Sequence, residues 1–412
     1  MIVEIKGVEF ANKGAHLMLV SIVVRLKEMW PEVQIALKPS TTMSRRQIAG
    51  VPALCKLNLR KHYVDLNRLS YRLPRALRSG LLWRFGVTEA DVDLVVDASG
   101  FSYSDQWPSE IRIYHLRNEL LRFHKHRKPY IFLPQAFGPF SLAHSAACIA
   151  QSFPYAAMIC ARDAQSYAYI ETLTGALPHL FEYGDFTNLL DAVYPKEIVI
   201  EPRAACIVPN CNMLDPRNCN AAWLGRYEDL LLAAICYYRE IGLRPFFLNQ
   251  GGERDALLMA RLNSQLEARD ELALVVLEQD DPAVIKGIIG ASAAVFCSRY
   301  HGCVGALSTG IACIGTSWSH KYEALYEQYG ACELLLSPEV SIDECRAIID
   351  LSLQNQTPLK QRIKKNALAQ KRNATAMWAQ FRSVLDGYPL FGNAATGPQS
   401  STARQAGNGL QS

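Results

Sequence analysis

The chain has 412 residues, half of them hydrophobic and a fifth charged, and it carries a net charge of +4 at neutral pH. That length predicts two domains around a large buried core, in a soluble globular protein. The small charge excludes nucleic acid as the main ligand, because no domain is basic enough to track a phosphate backbone.

Short apolar runs alternate with longer amphipathic segments, the pattern of strands and crossover helices in a parallel sheet. In the first half, strands are expected near Ile2 to Ile5, Val33 to Leu37, Leu94 to Asp97, Tyr130 to Leu133 and Met158 to Cys160, with helices such as Ala15 to Met29 and Glu110 to His126 between them. After Pro195 and Pro202 the pattern restarts. Strands are expected near Ala205 to Val208, Pro245 to Leu248, Ala273 to Leu277, Ala294 to Cys297 and Ala312 to Gly315, and helices over Leu224 to Ile241, Arg254 to Glu267 and Asp281 to Ile289. The expected fold is α/β, two Rossmann-like domains facing a cleft that holds the ligands. Residues 1–195 form the N-terminal domain and residues 196–387 the C-terminal domain, with a closing helix over Leu359 to Leu385. In residues 388–412 the periodicity gives way to Gly, Ser, Ala and Gln, which predicts a disordered tail.

Met1 to Ile5 leads straight into Lys6 and Glu9 rather than into an apolar signal region, and no run is long enough to span a bilayer. The cysteines are scattered singly through apolar segments, as expected of a reduced cytoplasmic protein. Cys206, Cys211 and Cys219 lack the close pairing of a zinc site, so no metal is expected. Arg60, Lys61, Arg68, Arg72, Arg75, Arg78 and Arg84 cluster with only Asp65 opposing them before Glu89. This reads either as a solvated surface or as a basic face for peripheral contact with anionic lipid, at the inner face of a membrane.

The most informative stretch is Cys297-Ser298-Arg299-Tyr300-His301-Gly302-Cys303, where an apolar strand breaks into a loop bearing a cation and an imidazole before a helix begins. Strand carboxyl ends and helix N-termini bind anions in α/β proteins. The same spacing also suits an Arg that pairs with a carboxylate and a His that caps a helix. Four further loops follow predicted strands: Gly7 to Gly14 with Asn12-Lys13-Gly14, Asp97-Ala98-Ser99-Gly100-Phe101, Pro134-Gln135-Ala136-Phe137-Gly138-Pro139-Phe140, and Cys160-Ala161-Arg162-Asp163-Ala164-Gln165-Ser166. In the last, Asp163 can cap the following helix while Arg162 projects from the strand end.

Taken in order, these motifs resemble the polysaccharide pyruvyl transferase family, over about Met1 to Gly330. The chain departs from the family pattern at Ala15-His16, where an acidic residue usually follows the glycine, and at Ser99-Gly100, where glycines are usually paired. The resemblance implies a fold like the two-domain GT-B glycosyltransferases and transfer of pyruvate from phosphoenolpyruvate onto sugar hydroxyls as a ketal, in exopolysaccharide biosynthesis. It implies a catalytic trio of Arg162, Arg299 and His301. The donor site would comprise Arg162, Arg299, Tyr300, His301, Gly302 and Lys321, with two cations for the donor's carboxylate and phosphate and His301 as acid. Lys321 suits a phosphate contact or a solvated helix start. The acceptor, a sugar or lipid-linked glycan, would meet Asn12, Asp97, Ser99, Asp105, Gln106 and Trp107, although Asp97 also suits a structural role at its strand end and Trp107 a core position. Tyr103, Gln135 and Asn210 are further candidates. The scheme needs no metal and no cofactor. Two other readings fit the same residues, a nucleotide-sugar-dependent glycosyltransferase and a non-catalytic glycan-binding relative.

Overall fold

The computed structural model describes residues 1–80, 84–194, 200–216, 221–354 and 357–392. Its first half carries β1 (Ile2–Lys6), β2 (Gln34–Leu37), β3 (Ala53–Cys55), the hairpin strands β4 (Arg60–Lys61) and β5 (Val64–Asp65), β6 (Leu94–Asp97), β7 (Tyr130–Gln135), β8 (Met158–Ala161) and β9 (Leu180–Glu182). Its second half carries β10 (Ala204–Val208), β11 (Arg244–Leu248), β12 (Val276–Leu277), β13 (Ala294–Cys297), β14 (Cys313–Thr316) and β15 (Leu335–Leu336). Apart from the antiparallel β4-β5 pair, they form two parallel sheets, ordered β3-β2-β1-β6-β7-β8-β9 and β12-β11-β10-β13-β14-β15. Helices cover both faces, so the central strands are apolar on both sides and their side chains divide by alternation. Val3 and Ile5 enter one core layer with Leu94 and Val96, whereas Ile2 and Val95 enter the other.

Strand order reverses between β1 and β6 in the first sheet and between β10 and β13 in the second. Such switch points open a crevice at the strand carboxyl ends, and here the loops from both crevices line one cleft.

Three expectations change. The strand over Ala273 to Leu277 shrinks to the edge strand β12, because Leu272 and Val275 point into solvent at 81% and 67% exposure. The closing helix, Pro358–Asp386, does not belong to the second half alone. Leu359, Ile363 and Ala367 pack on the second core, and Met377, Trp378, Phe381 and Leu385 pack on the first. The chain also stays ordered past residue 388, since Phe391 is buried against Trp30 with ring centroids 5.6 Å apart. The rest of the expected tail, residues 393–412, lies outside the described residues, as do Cys219 and the domain boundary at 195–196. Among the described residues no helix is long and apolar enough to cross a membrane.

The basic stretch is split as well. Arg60 turns inward onto Asp65 at 3.2 Å and Glu119 at 3.3 Å, and Arg78 lies 3.5 Å from Asp91. Lys61, Arg68 and Arg72 remain exposed.

Candidate active site

The cleft between the sheets has a volume of about 810 Å³. Behind its floor on the second sheet lies Ser298, a fully buried residue held by four hydrogen bonds from neighbouring side chains. Its Oγ accepts from Tyr227 Oη at 2.7 Å and Thr316 Oγ1 at 2.8 Å, and its carbonyl accepts from Asn210 Nδ2 at 2.8 Å and Tyr322 Oη at 2.9 Å. That network fixes the turn from β13 into the helix Tyr300–Ser308 and aims the next three residues at the cleft.

Arg299 is not available as an open guanidinium. Its Nε donates to Asp255 Oδ2 at 2.7 Å and its Nη2 to Asp255 Oδ1, so a fully buried carboxylate holds it. Arg162, carried by the end of β8, is the better placed cation. Its guanidinium lies over the Tyr300 ring at 4.1 Å, its Nη1 is 3.5 Å from Asp185 Oδ2, and its Nε makes no hydrogen bond among the described residues. Asp163 caps the helix Ala164–Thr174 through Ser166 N at 2.7 Å and leaves Arg162 to Asp185.

His301 stands at the seam. Its Nε2 is 3.5 Å from Asp185 Oδ2, and a Cβ built on Gly14 would come within 2.6 Å of its Nδ1. Burial alone would raise the Asp185 carboxyl, but the contact with His301, the Arg162 charge and the bond from Thr187 Oγ1 at 2.6 Å outweigh it. Asp185 is thus held well below the usual carboxylate range and stays anionic beside the imidazole.

Lys321 heads its helix, as one of the two expectations had it, but it is not solvated. It is buried, with Nζ 3.9 Å from the Trp318 ring centre and 5.0 to 5.7 Å from those of Phe101, Tyr300 and Tyr322. Rings hold the ammonium by their negative faces. The helices Tyr300–Ser308 and Lys321–Tyr329 both start here without a side-chain cap, which brings the positive ends of two helix dipoles to the site. Gly302 lies behind the wall, where a Cβ would meet Cys297 Sγ at 2.4 Å. His320, at the second helix start, has its pKa lowered by burial, with Asp163 Oδ1 4.0 Å away opposing the shift.

On the opposite wall Asn12, Ser99 and Trp107 line the cleft, and Asp97, Asp105 and Gln106 do not. Asn12 caps the helix Lys13–Met29 through Gly14 N at 3.0 Å. Asp97 is fully buried and accepts from Ser99 Oγ at 2.6 Å, Tyr103 Oη at 2.7 Å and Tyr130 Oη at 2.8 Å, which leaves nothing for a ligand. Asp105 accepts from Ser141 N at 2.6 Å in the turn that it stabilises. Trp107 meets Trp318 edge to face at 6.2 Å, closing the cleft over Lys321. Gln135 bonds the Asp97 carbonyl at 3.4 Å, and Asn210 holds Ser298, so both act as supports.

In and behind the cleft walls lie residues that the motifs did not reveal. Asp185 and Asp255 anchor the two arginines, and Gln250 Oε1 makes no hydrogen bond among the described residues. Lys38 lines the N-terminal arm beside Lys6, its pKa lowered first by burial and then by the Lys6 charge. Asp255 had a signal. It shares a helical stripe with Leu258, Met259, Leu262 and Leu266, and an acid on an apolar stripe implies a buried cation. Asp185 had none beyond a Gly-Asp turn.

A family model described as polysaccharide pyruvyl transferase matches residues 12–320. A comparison with curated proteins finds no match. Among solved structures, the chain superposes on UDP-GlcNAc 2-epimerase from Methanocaldococcus jannaschii with a TM-score of 0.55 and 10% identity, over 92% of this chain and 100% of that one. It superposes on Anabaena HepE in complex with UDP-glucose with a TM-score of 0.57 and 12% identity, over 94% and 99%. Against UDP-GlcNAc 2-epimerase from Neisseria meningitidis bound to UDP-GlcNAc the TM-score is 0.55 at 10% identity, over 93% and 100%. These similarities establish a GT-B-type fold, as the motifs implied.

Proposed function

Since the chain belongs to the polysaccharide pyruvyl transferase family and is therefore a transferase, we propose that it moves pyruvate from phosphoenolpyruvate onto two hydroxyls of a sugar as a ketal. The observation that carries this reading is the convergence of Arg162, Lys321 and two uncapped helix N-termini around His301. Phosphoenolpyruvate is compact and carries a carboxylate and a phosphate, which match two cations set apart in one pocket. Arg162 takes one group with its guanidinium fork, and Lys321 with the N–H groups of its helix takes the other. Arg299, fixed by Asp255, shapes the wall and supplies positive potential.

His301 gives its proton to the methylene carbon of the donor, which makes C2 electrophilic. The first sugar hydroxyl adds there and loses its proton to the now neutral imidazole. The bond from C2 to the phosphate oxygen then breaks, the second hydroxyl closes the ring, and its proton leaves with inorganic phosphate. Of the two hydroxyl protons, one ends in the new methyl group and the other on phosphate. Asp185 orients the imidazole throughout.

The acceptor, a sugar or lipid-linked glycan of exopolysaccharide assembly, lies along Asn12, Ser99 and Trp107, in the cytoplasm at the inner face of the membrane. A second reading, a nucleotide-sugar-dependent glycosyltransferase, is favoured by the solved neighbours that hold UDP-glucose and UDP-GlcNAc. A non-catalytic glycan-binding relative is the third. Calorimetry with phosphoenolpyruvate and with UDP-sugars, on wild type and Arg162→Ala, separates them. Saturable phosphoenolpyruvate binding that the variant loses supports pyruvyl transfer. Selective UDP-sugar binding moves the assignment to the second reading, and binding of glycan alone moves it to the third.

A further inference from the structure

We propose that the excursion between β3 and β6 is a docking surface for an anionic membrane, and that it sets the mouth of the N-terminal arm of the cleft against the bilayer. In the β4-β5 hairpin Arg60 pairs with Asp65 and Lys61 with Val64. Strand alternation turns Arg60 and Asp65 inward, with side chains 11% and 7% exposed. The same alternation turns Leu59, Lys61, Val64 and Leu66 outward together. A bond from Leu66 N to Leu59 O at 2.9 Å continues the ladder, so the two leucines are neighbours.

Leu59, Val64 and Leu66 are 50%, 57% and 44% exposed, an apolar face that no described residue covers. Tyr63 at the turn, Leu69 in the following short 3-10 helix Asn67–Arg72 and Leu77 are also exposed. The charges decide the occupant. Lys61, Arg68 and Arg72 are exposed and have no ion-pair partner among the described residues, and Asp65, the one acid between β3 and Glu89, is turned inward onto Arg60 and Arg122, as Glu89 is onto Arg122. Exposed leucines studded with unpaired cations fit the acyl boundary and the anionic headgroups of a bilayer. A second copy of the same basic face would repel it. Asn58, Arg60 and His62, in the same segment, line the cleft, so an acceptor anchored in lipid would reach the site without leaving the surface.

The surface goes beyond the reaction, and vesicle binding is measured without turnover, so neither result depends on the donor. The test is flotation of the full-length protein with phosphatidylcholine vesicles, with and without phosphatidylglycerol. Salt-sensitive binding to the anionic vesicles alone is expected. Arg68→Ala/Arg72→Ala should weaken it roughly 30-fold, since each cation near a charged leaflet contributes about fivefold. Leu59→Asp/Val64→Asp should weaken it too, with melting temperature unchanged because all four side chains are exposed. Equal binding to both vesicle types, or variants that bind as wild type does, overturns the proposal. Sedimentation that finds a dimer dissolved by Leu59→Asp/Val64→Asp also overturns it and gives the face to a second copy.

Discussion

Gly14 shows how one atom governs the site. The helix Lys13–Met29 would gain from alanine at this position by propensity, by about 1 kcal/mol. The added Cβ, however, would come within 2.6 Å of His301 Nδ1 and push the imidazole from Asp185. Gly14→Ala should therefore keep or raise the melting temperature and lower kcat, by about 100-fold for a displacement near 1 Å. Unchanged kcat with unchanged stability would remove His301 from the chemistry. Residue types were legible in the sequence where they follow an apolar strand, as Arg162 and His301 do. Their shared partner Asp185 was not, because it reaches them across distances that only folding closes, and the acid that Asp255 places on an apolar stripe did not say which cation it holds.

At the scale of elements, the long central strands were legible because burial on both faces makes them continuous apolar runs. The edge strands β3, β9 and β15 are two or three residues long, too short for any period, and only pairing with a neighbour defines them. One layer beneath the first sheet breaks the apolar rule. Glu119, fully buried on the helix Glu110–Lys125, lies 2.7 Å from Lys6, 3.0 Å from Lys56 and 3.3 Å from Arg60. Burial opposes its ionisation, but the three cations prevail and hold its carboxyl well below the usual range. Glu119→Ala removes the carboxylate that the three cations share and leaves Lys56 to Glu4 and Arg60 to Asp65 and Glu89, and denaturant unfolding should show a loss of about 3–5 kcal/mol. Loss of under about 1 kcal/mol would mean that water already screens the cluster.

In the whole molecule, hydrogen bonds such as Tyr329 Oη to Asn188 Oδ1 at 3.0 Å join the halves, and Lys286 makes another. From the helix Pro282–Ala291 of the second half its Nζ donates to Leu190 O at 2.7 Å in the first. Burial and the Lys371 charge pull this ammonium down to about 8 against the opposing Asp185 and Asp191. The unfolded chain therefore holds the extra proton between about pH 8 and the ordinary lysine value, so this residue's contribution to stability rises with pH across that window. Melting of wild type against Lys286→Met should show the difference moving in favour of wild type as pH rises from 8 toward 10. A constant difference would mean that Lys286 titrates as it does in water. The helix Pro358–Asp386 is the larger tie, and its periodicity revealed a helix without revealing that its two ends serve different cores. Trp378→Ala at its far end should cost about 3–5 kcal/mol.

That division of the helix has a consequence for synthesis. A chain emerging from the ribosome makes all of the first sheet by residue 182, yet Met377, Trp378, Phe381, Leu385 and Phe391 of its core are translated only after the whole of the second sheet. The first half thus waits, its apolar groove open, until the second half has been made, and a product terminated before that helix would offer the groove to chaperones and proteases instead of folding as a domain of its own.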